Sequence, residues 1–287
     1  MSRLNKRSPK WYGWLPDLPD HRDFSYSVVA PRLAKLPAKV DLRKRCSPVE
    51  NQGEIGACTA NALVGALEFL ELKDGVEFVD LSRLFVYYNE RVIEGTVKQD
   101  SGAFLRDGIK SLAKQGVCPE QEWPYRVRDF AKKPTAKCYS DAKTHQITSY
   151  HRINTVDEMR TCLADGFPFV FGFTVYEAFE SAAVAKSGIL NLPSKKEHVV
   201  GGHAVMGVGY DDAQKRFIIR NSWDTDWGTE RLLHHALRLS RSRQESGRRL
   251  LDHPDVRRRL AFASAMKIHL LDEKMFAFYY ERSSHSR

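Results

Sequence analysis

The apolar residues of this chain change period once, near residue 147, and that change restricts the fold more than any other feature. Before it they recur at helical spacing. Leu63, Leu67 and Leu70, with Ala66 alongside, line one face directly after Cys58. Leu84, Phe85, Tyr88 and Val92 do the same between Ser82 and Ile93, and a third helix is expected over about Phe104 to Gln115, stopped by Gly116. After residue 147 the pattern is that of strands: Phe169 to Phe173, His203 to Val208 and Arg216 to Arg220. A helical half followed by a β-rich half predicts two lobes in an α+β arrangement. At 287 residues the chain is long enough to give both a core.

Charge bears on partners. The net charge of +9 would suit an acidic partner. However, residues 231–287 hold 13 Lys and Arg against 6 Asp and Glu, so most of the surplus lies in the tail and no groove-reading motif accompanies it. Nucleic acid is therefore not an expected partner. Neither is a membrane, because no run of eighteen apolar residues occurs. The start of the chain has basic residues without an apolar h-region, so no secretory signal is read and a cytoplasmic setting is expected. The five cysteines (Cys46, Cys58, Cys118, Cys138 and Cys162) are widely spaced and contain no C-x-x-C. That pattern predicts neither a disulfide framework nor a zinc site, and no metal or cofactor is expected. Apart from Cys58, buried inert thiols are expected, with a Cys118–Cys138 bond as a guess.

Cys58 differs in its neighbours. It stands where Gln52-Gly-Glu-Ile-Gly-Ala-Cys58 runs into a helix. A helix N-terminus and a nearby imidazolium both lower a thiol pKa, and the thiolate is the nucleophile. Gln52 can aim its side-chain amide at the same spot and, with the Cys58 backbone N–H, form an oxyanion hole. The base must come from elsewhere. Gly201-Gly-His203 through Asn221-Ser-Trp223 reads as a hairpin centred on Asp212, which sets His203 opposite Asn221. An amide beside an imidazole fixes its tautomer, and Trp223 would shield that hydrogen bond from water.

Asn51-Gln-Gly-x-x-Gly-Ala-Cys58, Gly201-Gly-His-Ala-Val205 and Asn221-Ser-Trp-x-x-x-Trp-Gly228, in this order, resemble the papain-like (cathepsin-type, C1 family) cysteine peptidases. His203 follows Cys58 by 145 residues and Asn221 follows His203 by 18. The family box around the nucleophile is C-G-[SA]-C-[WY]. Here Ile55 stands for its upstream Cys and Thr59 for its aromatic residue. Losing that Cys removes the family's usual disulfide there, which suits a reducing compartment. Tyr12 to Asp20 and Asp211-Asp212 are similar to a microbial branch without a long inhibitory prosegment. The resemblance implies a helical N-terminal lobe, a β-barrel-like C-terminal lobe and an active site in the cleft between them. It implies Cys58, His203, Asn221 and Gln52 as catalytic residues. It also implies Gly102 of Ser101-Gly-Ala103 as a main-chain partner for an extended peptide, with Trp223 on the substrate side. Asp224 stands where the family commonly has Gly, which predicts strain in the turn after Trp223.

The expected function is endopeptidase hydrolysis of peptide or protein substrates through a Cys58 acyl-enzyme. The alternatives are an impaired peptide-binding module and an acyl transferase; the oligomeric state is left open. The expected organisation is an extended arm over 1–37, a peptidase domain over 38–230 (helical lobe about 44–145, β-rich lobe about 146–230) and a basic tail over 231–287. The resemblance stops after Trp227-Gly228. One back-translation of Arg231-Leu-Leu-His-His-Ala-Leu-Arg-Leu239, read one nucleotide on, gives Gly-Tyr-Phe-Thr-Met-Pro-Tyr-Ala, the kind of strand the family places there. The tail is therefore expected to be out-of-frame translation, poorly ordered, and weakening to activity.

Overall fold

The computed structural model describes residues 12–18, 20–31, 33, 35–223 and 227–228, and the backbone strands 232–235 and 274–279. In chain order the first half contributes β1 (Trp14–Leu15), β2 (Lys39–Asp41), α1 (Cys58–Lys73), α2 (Arg83–Glu94), β3 (Ala103–Phe104), α3 (Leu105–Lys114) and α4 (Ala136–Asp141). The second half contributes β4 (Ser149–Ile153), α5 (Val156–Ala164), β5 (Phe169–Tyr176), α6 (Ala182–Ser187), β6 (Ile189–Leu190), β7 (Val199–Asp211), β8 (Arg216–Arg220), β9 (Leu232–His235) and β10 (Lys274–Tyr279). The three helices expected from spacing form, with ends shifted by a residue or two. Ser82 caps α2 through Phe85 N–H, and Gly116, at φ 77°, follows the last turn of α3.

Helix α1 is the central strut. Every residue from Cys58 to Glu71 is buried, so it is enclosed on all sides instead of showing one apolar stripe. Its buried acids are satisfied. Glu68 accepts from Arg83 (2.8 Å), Ser47 Oγ (2.5 Å) and Leu81 N–H (3.1 Å), and Glu71 pairs with His145 Nδ1 at 2.8 Å. The strands form one eight-stranded sheet in the order β4-β10-β5-β7-β8-β9-β6, with β2 added to β7. Among the described residues this sheet does not close, so the barrel-like expectation resolves into an open sheet. Gly65 of α1 packs on the Arg220 guanidinium, which itself donates to Ser47 Oγ (3.0 Å) and to the carbonyls of Ser47 (3.0 Å) and Pro48 (2.5 Å). This buried arginine ties the end of β8 to the loop before α1.

The β7–β8 hairpin departs from the expected register. Asp211 pairs with Arg216 and Gly209 with Ile218, so the turn is centred between Ala213 and Gln214 instead of on Asp212. A bulge between Gly207 and Gly209 then shifts the pairing to Gly207 with Ile219 and Met206 with Arg220. His203 is therefore not opposite Asn221; its Cα partner is Phe173 on β5. Within the tail, β9 pairs antiparallel with β8 and β10 lies between β4 and β5. The rest of residues 231–287, and Asp224 with its expected turn strain, lie outside the described residues.

Candidate active site

Cys58 opens α1, and the preceding Ala57 gives no side-chain cap. The helix N-terminus beside the nucleophile therefore carries no side-chain cap. The loop before it is held from both lobes. Gln52 exchanges backbone contact with Ser222 (N–H to O, 2.9 Å), its Oε1 accepts from Ser222 Oγ at 2.6 Å, and its Nε2 donates to Ile55 O at 3.0 Å. An amide nitrogen has two hydrogens, so orienting Gln52 this way also aims a second N–H. Gly56 N–H donates to Asp100 Oδ1 (2.9 Å), which also receives the Tyr87 hydroxyl (2.5 Å), and Tyr87 Oη accepts from Gly102 N–H at 3.2 Å. Asp100 and Tyr87 therefore couple the loop before Cys58 to Gly102. Spacing alone did not single out either residue, because both look like ordinary lobe-filling residues in the sequence.

Across the cleft, His203 Nε2 and Asn221 Oδ1 are 2.7 Å apart although the two residues are not register partners. Asn221 Oδ1 also accepts from Ser222 N–H at 2.9 Å, so it is the acceptor and Nε2 carries the ring proton. The other ring nitrogen is thereby left as the basic one. Trp223 stacks on the imidazole at 4.7 Å and 26°, with Trp227 edge-on behind it at 5.0 Å. The backbone N–H of Ala204, the residue after His203, reaches the Cys58 thiol from β7, and that of Thr59 reaches it from α1. Among the remaining cysteines, Cys118, Cys138 and Cys162 are buried, whereas Cys46 is half-buried, contrary to expectation.

The cleft is occupied by the chain's own arm. Gly13 O accepts from Ala103 N–H at 2.7 Å, and β1 pairs in parallel with β3, so the arm holds the edge beside Gly102 that was read as the peptide's place. The seat is made of glycines. A Cβ on Gly13 would lie 1.7 Å from Gly56 O, and one on Gly102 would lie 2.1 Å from Gly13 O. Tyr12 presents its ring to His203 and Trp223 and donates its hydroxyl to Glu180 Oε1 at 2.9 Å. Trp14 lies over Gly172 and Gly202. Farther along, Asp17 Oδ1 accepts from Arg106 N–H (3.2 Å) in the first turn of α3. Asp23 then joins Arg106 of the first half (2.5 Å) to Arg152 of the second (2.8 Å). Cys58 and His203 are both wholly covered as a result. Burial pushes the Cys58 thiol up to about 12, although the amides of Ala204, Gly13 and Thr59 oppose the shift.

The family profile "Papain family cysteine protease" matches residues 36–243. The chain belongs to the papain family of cysteine proteases. A peptidase C1-like protein of Acanthamoeba polyphaga mimivirus is 39% identical over 243 residues, 76% of this chain and 78% of that protein. Xylellain, a cysteine protease from Xylella fastidiosa, superposes with a TM-score of 0.78 at 38% identity, covering 98% of this chain and 100% of that one. Procathepsin B S9 from Trypanosoma congolense shares the fold (TM-score 0.68, 18% identity, 96% and 88% covered). Against cysteine proteinase 1 of Entamoeba histolytica, 28% identical over 68% of this chain, the match spans 62% of the relative's length. The protein is a papain-like cysteine peptidase of α+β two-lobe fold, acting on peptide or protein substrates.

Thr59, where the family box has an aromatic residue, donates its hydroxyl to Glu90 Oε2 at 2.9 Å. Glu90 is fully buried, and burial raises its pKa well above the ordinary value of 4.5. The polar residue next to the nucleophile thus has a polar partner one helix away.

Proposed function

We propose that this chain is an endopeptidase in which Cys58 attacks the scissile carbonyl and His203 transfers the proton to the leaving amine. Asn221 holds the imidazole in the tautomer protonated at Nε2, which leaves Nδ1 as the basic nitrogen. Gln52 Nε2 and the Cys58 backbone N–H stabilise the oxyanion. The observation that carries the reading is the 2.7 Å bond between His203 and Asn221 beside a cysteine at an uncapped helix N-terminus. Substrate main chain takes the edge of Gly102 and Ala103 that Gly13 now holds, and Trp223 closes the imidazole side. The arm must leave first, so the described conformer is the closed one. We propose a cytoplasmic setting, supported by Ile55 standing where the family box carries a disulfide cysteine. Among the described residues no helix is long and apolar enough to cross a membrane.

The test is covalent labelling by a peptidyl epoxide after the arm has been displaced, with the adduct mapped by mass spectrometry. The adduct is expected on Cys58 and to be lost in His203→Ala. Labelling of another cysteine instead, or none at all, would overturn the assignment.

A further inference from the structure

Away from the cleft, Cys118, Glu122 and Cys138 bring their sulfur and carboxylate atoms within 4.8 Å of one another. Cys118 follows α3 and Cys138 lies in α4, and both side chains are buried. The buried Cys138 thiol reaches Glu122 O (3.7 Å) and Thr135 Oγ1 (3.1 Å) and lies within 4.8 Å of the Cys118 thiol. Two buried thiols held this close have two uses, a metal or a covalent bond. The metal reading has three donors where closed structural sites use four. One oxygen of its carboxylate is also engaged, since Glu122 Oε1 pairs with Lys137. That ammonium, one residue from Cys138, would repel a cation.

We propose that Cys118 and Cys138 are an oxidisable pair that closes into an intramolecular disulfide when the protein meets a low-molecular-weight disulfide such as oxidised glutathione. One thiolate attacks the small disulfide, breaks its S–S bond and releases one small thiol. The second cysteine then attacks the mixed disulfide, forming the Cys118–Cys138 bond and releasing the second small thiol. The two electrons leave the protein sulfurs for the small disulfide, and the two protons end on the released thiols. Burial and the neighbouring Cys138 thiol push the Cys118 pKa up. Cys118 is thus a slow nucleophile, and a poor leaving group once bonded, so the disulfide persists after it forms.

The bond would close the loop from 118 to 138. That loop supports the cleft: Tyr125 Oη donates to Gln52 O at 2.8 Å, and Trp123 O accepts from Ser82 Oγ, the α2 cap, at 2.6 Å. Closing it removes freedom from the unfolded chain and leaves Cys58 untouched.

The experiment uses the full chain equilibrated in glutathione buffers of increasing oxidised fraction, quenched in acid, denatured and alkylated. Mass mapping reads every cysteine. Alkylation of Cys118 and Cys138 is expected to vanish together, with loss of two hydrogen masses, a linked peptide pair and a higher melting midpoint. Cys46 and Cys162 should stay alkylatable throughout. Cys118→Ser should leave Cys138 free or glutathionylated and abolish the rise in melting midpoint. Three outcomes would overturn the proposal: both thiols still alkylatable at full oxidation, glutathione retained separately on each, or a zinc ion bound stoichiometrically and masking them until chelated. None of these readouts depends on turnover, so failure here is distinguishable from failure of the active-site reading.

Discussion

Gly13→Ala tests whether the arm controls access to the cleft. The added Cβ would lie 1.7 Å from Gly56 O and 2.3 Å from its carbonyl carbon, both backbone atoms that cannot rotate away. The seated arm must lift. Lifting forfeits the 2.7 Å bond from Ala103 N–H to Gly13 O, worth about 0.5–1.5 kcal/mol net. Overpacking of a tight site typically adds about 1–3 kcal/mol. Together these weaken docking by roughly 1.5–4.5 kcal/mol, which at about 1.4 kcal/mol per decade raises the open fraction by roughly ten- to a thousandfold. Against this, burying Tyr12 and Trp14 stabilises the seat by about 1.5–3 kcal/mol each, offset by the entropy of ordering three residues at about 1–2 kcal/mol apiece. The docking equilibrium is therefore close enough to balance for one methyl group to decide it. The assay is the second-order rate of epoxide labelling at Cys58, followed with pH, alongside kcat/KM on a fluorogenic peptide. Wild type should label slowly, with a rate still rising at alkaline pH because the covered thiol sits near 12. Gly13→Ala should label faster and plateau at lower pH, since exposing the thiol removes the burial that raises its pKa. Equal rates and equal pH profiles for the two proteins would refute the reasoning.

Gln52→Ala should lower kcat by about 10²–10³-fold, the usual cost of one oxyanion donor. Asn221→Ala should also fall short of the complete loss expected for Cys58→Ala; measured on the Gly13→Ala background, equality of all three would count against the supporting roles. Glu94 and Glu120 are each raised by burial to about 7 from an ordinary 4.5. The folded state therefore holds protons that the unfolded chain releases, and stability falls as pH rises from about 4.5 to about 7. Glu94→Gln, which keeps the acceptor for Phe104 N–H (2.9 Å), should flatten that decline in denaturant midpoints, and an unchanged slope would speak against it. We propose that residues from about Arg231 are out of frame. The backbone pairing of β9 with β8 does not discriminate, because ladder hydrogen bonds do not read side chains. Codons 231–239 should shift by one base into the Gly-Tyr-Phe reading, and the restored chain should melt higher; a gene without that reading would end the idea.

The sequence by itself determined the elements and the chemical groups. Helical spacing from Leu63 to Leu70 and strand patterning from Phe169 onward are set by neighbours a few residues apart, so α1, α2, α3, β5, β7 and β8 were legible. So were the residue types around Cys58, His203 and Asn221, since their motifs are local runs. What lies across the chain was not legible. The hairpin arithmetic failed because the turn falls between Ala213 and Gln214 instead of at Asp212, which displaces every pair; the bulge near Gly207 then shifts the register by one more step, and the packing of β7 between β5 and β8 decides both. Residues 1–37 read only as an extended arm, yet Gly13 fits between Gly56 and Gly102 because three glycines far apart in sequence present bare backbone to one another. Thr59 with Glu90, and Cys118 with Glu122 and Cys138, meet for the same reason. Burial brings them together through space, and no period or spacing along the chain records a contact that tertiary packing alone creates.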